Sequence, residues 1–115
     1  MTIYCFDIDG TIFSTKGSDY PNSLPIQHRI DKVNELYLQG HEITLFTARG
    51  STTGIDWHEL TESQLERFGV RYHRLILGKP HADLYVDDKG ANDKVFFSEA
   101  DASQSASNDE GGYRP

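Results

Sequence analysis

Apolar residues along this chain recur in two rhythms, and the switches between them mark its elements. Ile3 to Ile8 is a short apolar and aromatic run closing on Asp-Gly, the pattern of a buried strand entering a turn. Residues 14–25 (Ser-Thr-Lys-Gly-Ser-Asp-Tyr-Pro-Asn-Ser-Leu-Pro) are turn formers and predict a loop or small flap. The period then lengthens. Ile26, Ile30, Val33 and Tyr37 fall at helical spacing with Leu36 beside them, and Gly40 supplies the stop. Glu42 to Thr47 predicts a second strand, with Ile43, Leu45 and Phe46 as its apolar part, and Ser51 to Gly54 a hydroxyl-rich loop. Asp56 to Phe68 fits a second helix whose face carries Trp57, Leu60, Leu65 and Phe68, closed by Gly69. Arg71 to Leu77 predicts a third strand, Gly78-Lys79-Pro80 a turn, and Asp83 to Val86 a fourth short strand running into Asp87-Asp88.

Strands alternating with helices predict an α/β fold with a parallel sheet and right-handed crossovers. In such sheets ligands bind beyond the carboxyl ends of the strands, and the polar clusters of this chain fall at those ends. From Ser98 onward there is little to bury, so the expectation is one folded domain over residues 1–97 and a disordered tail over 98–115. No internal repeat is present.

Composition narrows the classes. A chain of 115 residues and 13.0 kDa suits a single domain. A formal net charge of −7 repels phosphate backbones and argues against tight nucleic-acid binding, while clustered carboxylates attract cations. No apolar run approaches the ~20 residues of a membrane span, so no membrane partner is expected. The first residues lack the basic stretch of a signal peptide, and the lone Cys5 reads as a buried core thiol. Together these points predict a cytoplasmic protein.

The sharpest chemical signal is Asp7-Ile8-Asp9-Gly10-Thr11. Residues two apart in a strand face the same way, so both carboxylates aim at one place and need a cation, or one must stay protonated. Gly10 permits a sharp turn that opens backbone N–H groups to an anion. Thr47-Ala48-Arg49-Gly50 ends the second strand with a hydroxyl and a guanidinium suited to phosphate oxygens. Lys79 follows the third strand and can neutralise a phosphate or a carboxylate. Tyr85-Val86-Asp87-Asp88 repeats the first pattern, with Asn92 four positions beyond Asp88; adjacent carboxylates point to opposite faces and divide their roles.

Taken in order, these four pieces resemble the haloacid dehalogenase superfamily of phosphohydrolases: Asp7 to Thr11 its first motif, Thr47 its second, Lys79 its third, and Asp87-Asp88 with Asn92 its fourth. The resemblance covers about residues 3 to 95. It implies a three-layer Rossmann-like fold and a phosphatase in which Asp7 attacks phosphorus and becomes an aspartyl-phosphate, while Asp9 donates and then accepts a proton. It also implies Mg²⁺ held by Asp7, the backbone carbonyl of Asp9, and Asp87 or Asp88, with Asn92 supporting the shell. Asp88 takes the family's ligand position and Asp87 would pair with Lys79; the reverse assignment stays open. The implied catalytic residues are Asp7, Asp9 and Lys79, and the implied substrate-binding positions are Gly10, Thr11, Thr47, Ala48 and Lys79.

More narrowly, Asn34-Glu35-Leu36-Tyr37, Gly54-Ile55-Asp56-Trp57, Tyr72-His73 and Gly78-Lys79-Pro80 look like the small capsule-biosynthesis phosphatases of that superfamily. That implies a phosphosugar or capsular polysaccharide precursor as substrate. The short connections leave no room for a substantial cap domain, so such an enzyme takes a bulky ester or borrows a neighbouring subunit of a homo-oligomer as a lid. Arg49, Trp57, His58, Tyr72 and His73 are candidates for leaving-group contacts, each with a plainer packing role as the alternative. Two rivals share the chemistry: a nucleic-acid 3′-phosphatase, which calls for a basic groove, and a non-enzymatic receiver domain, whose phosphoacceptor Asp ends a middle strand.

Overall fold

The computed structural model describes residues 1–108, with side chains through 104. The chain falls into two units, Met1–Asp83 and a second beginning at Leu84. Along the first run β1 (Ile3–Asp7), β2 (Phe13–Ser14), β3 (Leu24–Pro25), α1 (Gln27–Leu38), β4 (Glu42–Thr47), α2 (His58–Arg67) and β5 (Arg74–Leu77). β4 lies between β1 and β5 and runs parallel to both, with Asp7 opposite Phe46 and Thr47 opposite Leu77. All three strands therefore end on one side.

Burial follows strand position. The central strand β4 buries Ile43, Thr44, Leu45 and Thr47, as expected of the middle strand of a parallel sheet. In β1 only Phe6 is buried. Cys5 is exposed, correcting the expected core thiol. Alternate side chains share a face: Cys5 lies with Ile3, which is 59% exposed, whereas Phe6 and Ile8 turn to the buried side.

Both crossovers step the same way across the sheet, so right-handed connections place α1 and α2 on one face. α1 buries Ile30, Val33 and Leu36 and has no side-chain N-cap. Full burial of one such residue contributes about 1.5–3 kcal/mol, against about 1 kcal/mol for a missing cap, so packing sets this helix. Both helices stop where glycine predicts. Gly40 and Gly69 have φ of 93° and 71°. The N–H groups of His41 and Gly40 reach back to Leu36 and Tyr37, and those of Val70 and Gly69 to Leu65 and Glu66, which makes two Schellman motifs. Asn34 joins the two helix ends, donating to the Gly69 carbonyl and accepting from Arg71 N–H.

The expected flap at residues 14–25 is a small antiparallel pair, β2 with β3, joined through a 3₁₀ turn at Tyr20–Asn22. No cap domain interrupts the described residues, as the short connections predict.

The second unit contains α3 (Asp93–Phe96) and α4 (Ser98–Asn108). The predicted strand Asp83–Val86 does not form, and Leu84 and Val86 are 76% and 85% exposed. Its apolar run is only three residues long. The Asp87 carboxylate then accepts the N–H groups of Lys89 and Gly90 and turns the chain before a ladder can extend. The predicted tail is helical over 98–108, where Glu99 and Asp101 in the first turn complement the helix dipole. The remainder of that tail, 109–115, lies outside the described residues. No helix among the described residues is long and apolar enough to cross a membrane.

Candidate active site

The parallel register brings the ends of β1, β4 and β5 side by side, and with them Asp7, Thr47 and the turn carrying Lys79. The N–H groups of Gly78 and Lys79 both donate to the Thr47 carbonyl, so the third strand's exit is fastened to the end of the second. That fastening sets Lys79 Nζ 3.6 Å from Asp7 Oδ1 and 4.4 Å from the Phe46 ring centroid. Asp7 is half-buried. Burial pushes its carboxyl above the ordinary value of 3.8, Lys79 and the Ile8 N–H oppose the rise, and the nearby Asp9 adds to it. Burial thus withdraws solvent from a carboxylate whose cation is Lys79.

The turn after β1 departs from expectation. Ile8 O accepts the N–H groups of Thr11, Ile12 and Phe13, and Gly10 N–H donates to Phe13 O. The N–H groups of Gly10 and Thr11 are thus used inside the turn and are not open to an anion. Gly10 supplies the geometry instead, at φ 84°. Arg29 of α1 clamps the same turn, donating to Thr11 O at 3.1 Å. Thr47 is buried and its hydroxyl oxygen accepts Arg49 N–H at 3.1 Å, while Ala48 O receives Ser51 N–H.

Asp9 lies in a closed polar network. Arg49 grips it with two donors, Nε to Oδ2 at 2.9 Å and Nη2 to Oδ1 at 2.8 Å. Nη2 also donates to Ser23 Oγ, and Nη1 donates to Thr61 Oγ1 and Gln64 Oε1. A guanidinium has five N–H donors, and all are used here. Arg49 therefore has none left for phosphate, contrary to the role suggested by its place beside Thr47. Its side chain is completely buried, with the Tyr20 ring 4.7 Å from Cζ.

The sequence pattern does not reveal this network, although Thr61 and Gln64 hint at it. With Leu65 they form the buried stripe of α2, where Leu60 had been expected and is only half-buried. Polar residues on a core face need a buried partner.

In the second unit Asp87 Oδ1 caps the Lys89–Gly90 turn, and those N–H groups hold its carboxyl below the usual value. Asp88 is exposed. Asn92 accepts Lys94 N–H as the N-cap of α3. Among the described residues no three His, Cys, Asp or Glu side chains form a group able to hold a metal. Of the leaving-group candidates, Trp57 meets Tyr20 edge to face, His58 pairs with Glu62, and His73 accepts Ile43 N–H while stacking on Tyr37.

No family model matches the sequence, and no curated protein matches it. Solved structures do. A structural-genomics target from Vibrio cholerae aligns at TM-score 0.74 and 27% identity over 89% of this chain and 95% of that one. A D,D-heptose 1,7-bisphosphate phosphatase from B. bronchiseptica, complexed with magnesium and phosphate, aligns at 0.53 and 16% over 90% of this chain and 64% of that one. The fold is haloacid-dehalogenase-like. The same haloacid-dehalogenase-like fold aligns with a chain of a Pnkp1/Rnl/Hen1 complex at 0.55 and 22%, covering 85% of this chain and only 33% of that one. It also aligns with a Pnkp1/Rnl/Hen1 RNA repair complex at 0.54 and 16%, covering 31% of that chain.

Proposed function

We propose that the chain is a magnesium-dependent phosphohydrolase acting through an aspartyl-phosphate on Asp7, with a phosphosugar or capsular polysaccharide precursor as substrate. The observation that carries this reading is Asp7 itself. It is a half-buried carboxylate at the end of the first strand of a haloacid-dehalogenase-like fold, raised by burial and paired with Lys79 at 3.6 Å.

In the first step an Asp7 oxygen bonds to phosphorus as the bond to the leaving oxygen breaks, and Asp9 gives that oxygen its proton. In the second, water attacks the aspartyl-phosphate and passes a proton to Asp9; phosphate leaves and both side chains are restored. Lys79 holds charge on the equatorial oxygens through both steps. An all-oxygen donor set suits Mg²⁺: the Asp7 carboxylate and the Asp9 carbonyl would hold it, and it would offset repulsion between nucleophile and substrate. Arg49 and Thr15 take three of the four positions of the Asp9 carboxylate, so its carbonyl is the expected donor.

The heptose bisphosphate phosphatase supports the sugar-phosphate class and the metal. The lack of a cap suits a bulky ester, or a second copy of the chain serving as lid. Likeness to the RNA repair complexes favours a second reading, a nucleic-acid 3′-phosphatase, against which stands the net charge of −7. A receiver domain is disfavoured because β4 ends in Thr47 rather than an Asp. The test is phosphate release from sugar phosphates, nucleotides and 3′-phosphorylated oligonucleotides, with Mg²⁺ and with chelator. Metal-dependent turnover led by sugar phosphates is expected. Preference for oligonucleotide ends would replace the substrate class, and no multiple turnover on any ester would overturn the enzymatic reading.

A further inference from the structure

The network around Asp9 admits one arrangement of protons. Thr15 Oγ1 donates to Asp9 Oδ1 at 2.7 Å, so the 2.7 Å contact between Thr15 and Ser23 must have the Ser23 hydroxyl as donor. Ser23 Oγ in turn accepts from Arg49 Nη2, which also donates to Asp9 Oδ1. Four groups thus close a ring: Arg49, Ser23, Thr15 and Asp9. Thr15 and Ser23 follow and precede the paired strands of the flap, Ser14 lying opposite Leu24. The flap is also fixed to α2, because Gln64 accepts from Arg49 through Oε1 and donates through Nε2 to Tyr20 O at 2.6 Å.

A carboxylate offers about four lone-pair positions. Oδ1 of Asp9 fills its two with Thr15 and Arg49, and Oδ2 fills one with Arg49. One position, on Oδ2, remains for proton exchange. Two-pronged contact fixes the carboxylate plane, so the direction of that position is fixed as well. Burying a guanidinium carries a desolvation penalty that apolar packing of equal volume would avoid, which makes this an uneconomical clamp if stability were its only product.

We propose that Arg49 is a positioning residue: it locks the Asp9 carboxylate to the flap and to α2, and so aims the proton donor at the leaving oxygen without itself binding phosphate. The proposal rests on the phosphatase reading above and adds to it a residue that acts only through Asp9.

Substituted phenyl phosphates test it, because dinitrophenolate departs without a proton and phenolate needs one. Steady-state kinetics would compare the full chain with Arg49→Gln, Arg49→Lys and Thr15→Val on dinitrophenyl, p-nitrophenyl and phenyl phosphate, with melting curves as a check on folding. For Arg49→Gln, kcat on phenyl phosphate should fall by about 10²-fold or more. On dinitrophenyl phosphate it should fall less than about tenfold, with KM little changed on either. Arg49→Lys should recover part of the phenyl phosphate rate. Thr15→Val, which leaves the buried guanidinium in place, should show the same leaving-group pattern at smaller size and decides the matter if Arg49→Gln does not fold. Equal losses on all three esters, or a rise in KM with kcat intact, would overturn the positioning role while the phosphatase reading stands. Absence of turnover by the unaltered chain on every ester would overturn both.

Discussion

Asp7 and Asp9 are two residues apart and live in opposite conditions. Asp7 is half-buried with one cation at 3.6 Å, and burial raises its carboxyl. Asp9 receives three hydrogen bonds, two of them from a guanidinium whose five donors are all occupied. The cations divide in the same way: Lys79 is held near its partner by a turn, Arg49 is sealed inside. The contrast teaches where a ligand is to be sought. A half-buried carboxylate beside a lysine at a strand end is placed to meet substrate and metal, whereas one held by three bonds is fixed in direction and keeps a single position for its proton.

That division can be broken experimentally, beginning where the effect is greatest. Asp7→Asn should lower kcat by at least about 10⁴-fold, the scale for losing a nucleophile, with circular dichroism unchanged; turnover near the original would remove Asp7 from the chemistry. Arg49→Ala should act on the fold, costing about 3–5 kcal/mol in chemical denaturation because it strands a buried partner. Lys79→Met should spare the fold, lowering kcat by about 10²–10³-fold, as for one transition-state donor, with only slight change in the denaturation midpoint.

A smaller effect is pH-dependent. The folded-state carboxyl of Asp7 is raised, so folding favours its protonated form. The stability this gives is present below the ordinary carboxylate value and is lost as pH rises through the raised one. With chelator present, Asp7→Asn should therefore match the parent in acid and melt higher at neutral pH; the same gap at both would deny the burial effect. Asn92→Ala should be mildest, costing about 0.5–1 kcal/mol as a lost N-cap and leaving kcat alone. A large loss of metal-dependent turnover would give Asn92 a part in the metal shell.

Much of this was legible because some residues have only one local use. Gly40 and Gly69 after apolar helical stripes announce αL caps, and the helices end there. The apolar centre of Glu42–Thr47 announces a buried parallel strand, and its bounds agree. Asp7, Thr47 and Lys79 could be placed together because parallel strands end on one side. The misreadings have two sources, one local and one tertiary. Leu84-Tyr85-Val86 carries strand-forming residues but is turned by the Asp87 carboxylate. Arg49 looks like a phosphate ligand until Thr61, Gln64 and Ser23 are seen around it, and those lie 12, 15 and 26 residues away. Helical periodicity shows that Thr61 and Gln64 share a face with Leu65; it does not show what they meet.

In the proposed mechanism Asp7 takes the phosphoryl group. Rapid acid quench of the full chain turning over a radiolabelled phosphate ester with Mg²⁺, followed by peptide mapping, tests it directly. A label in the peptide bearing Asp7, released by hydroxylamine and lost in Asp7→Asn, is the expected result. Label on another residue, or efficient turnover by Asp7→Asn, would contradict it.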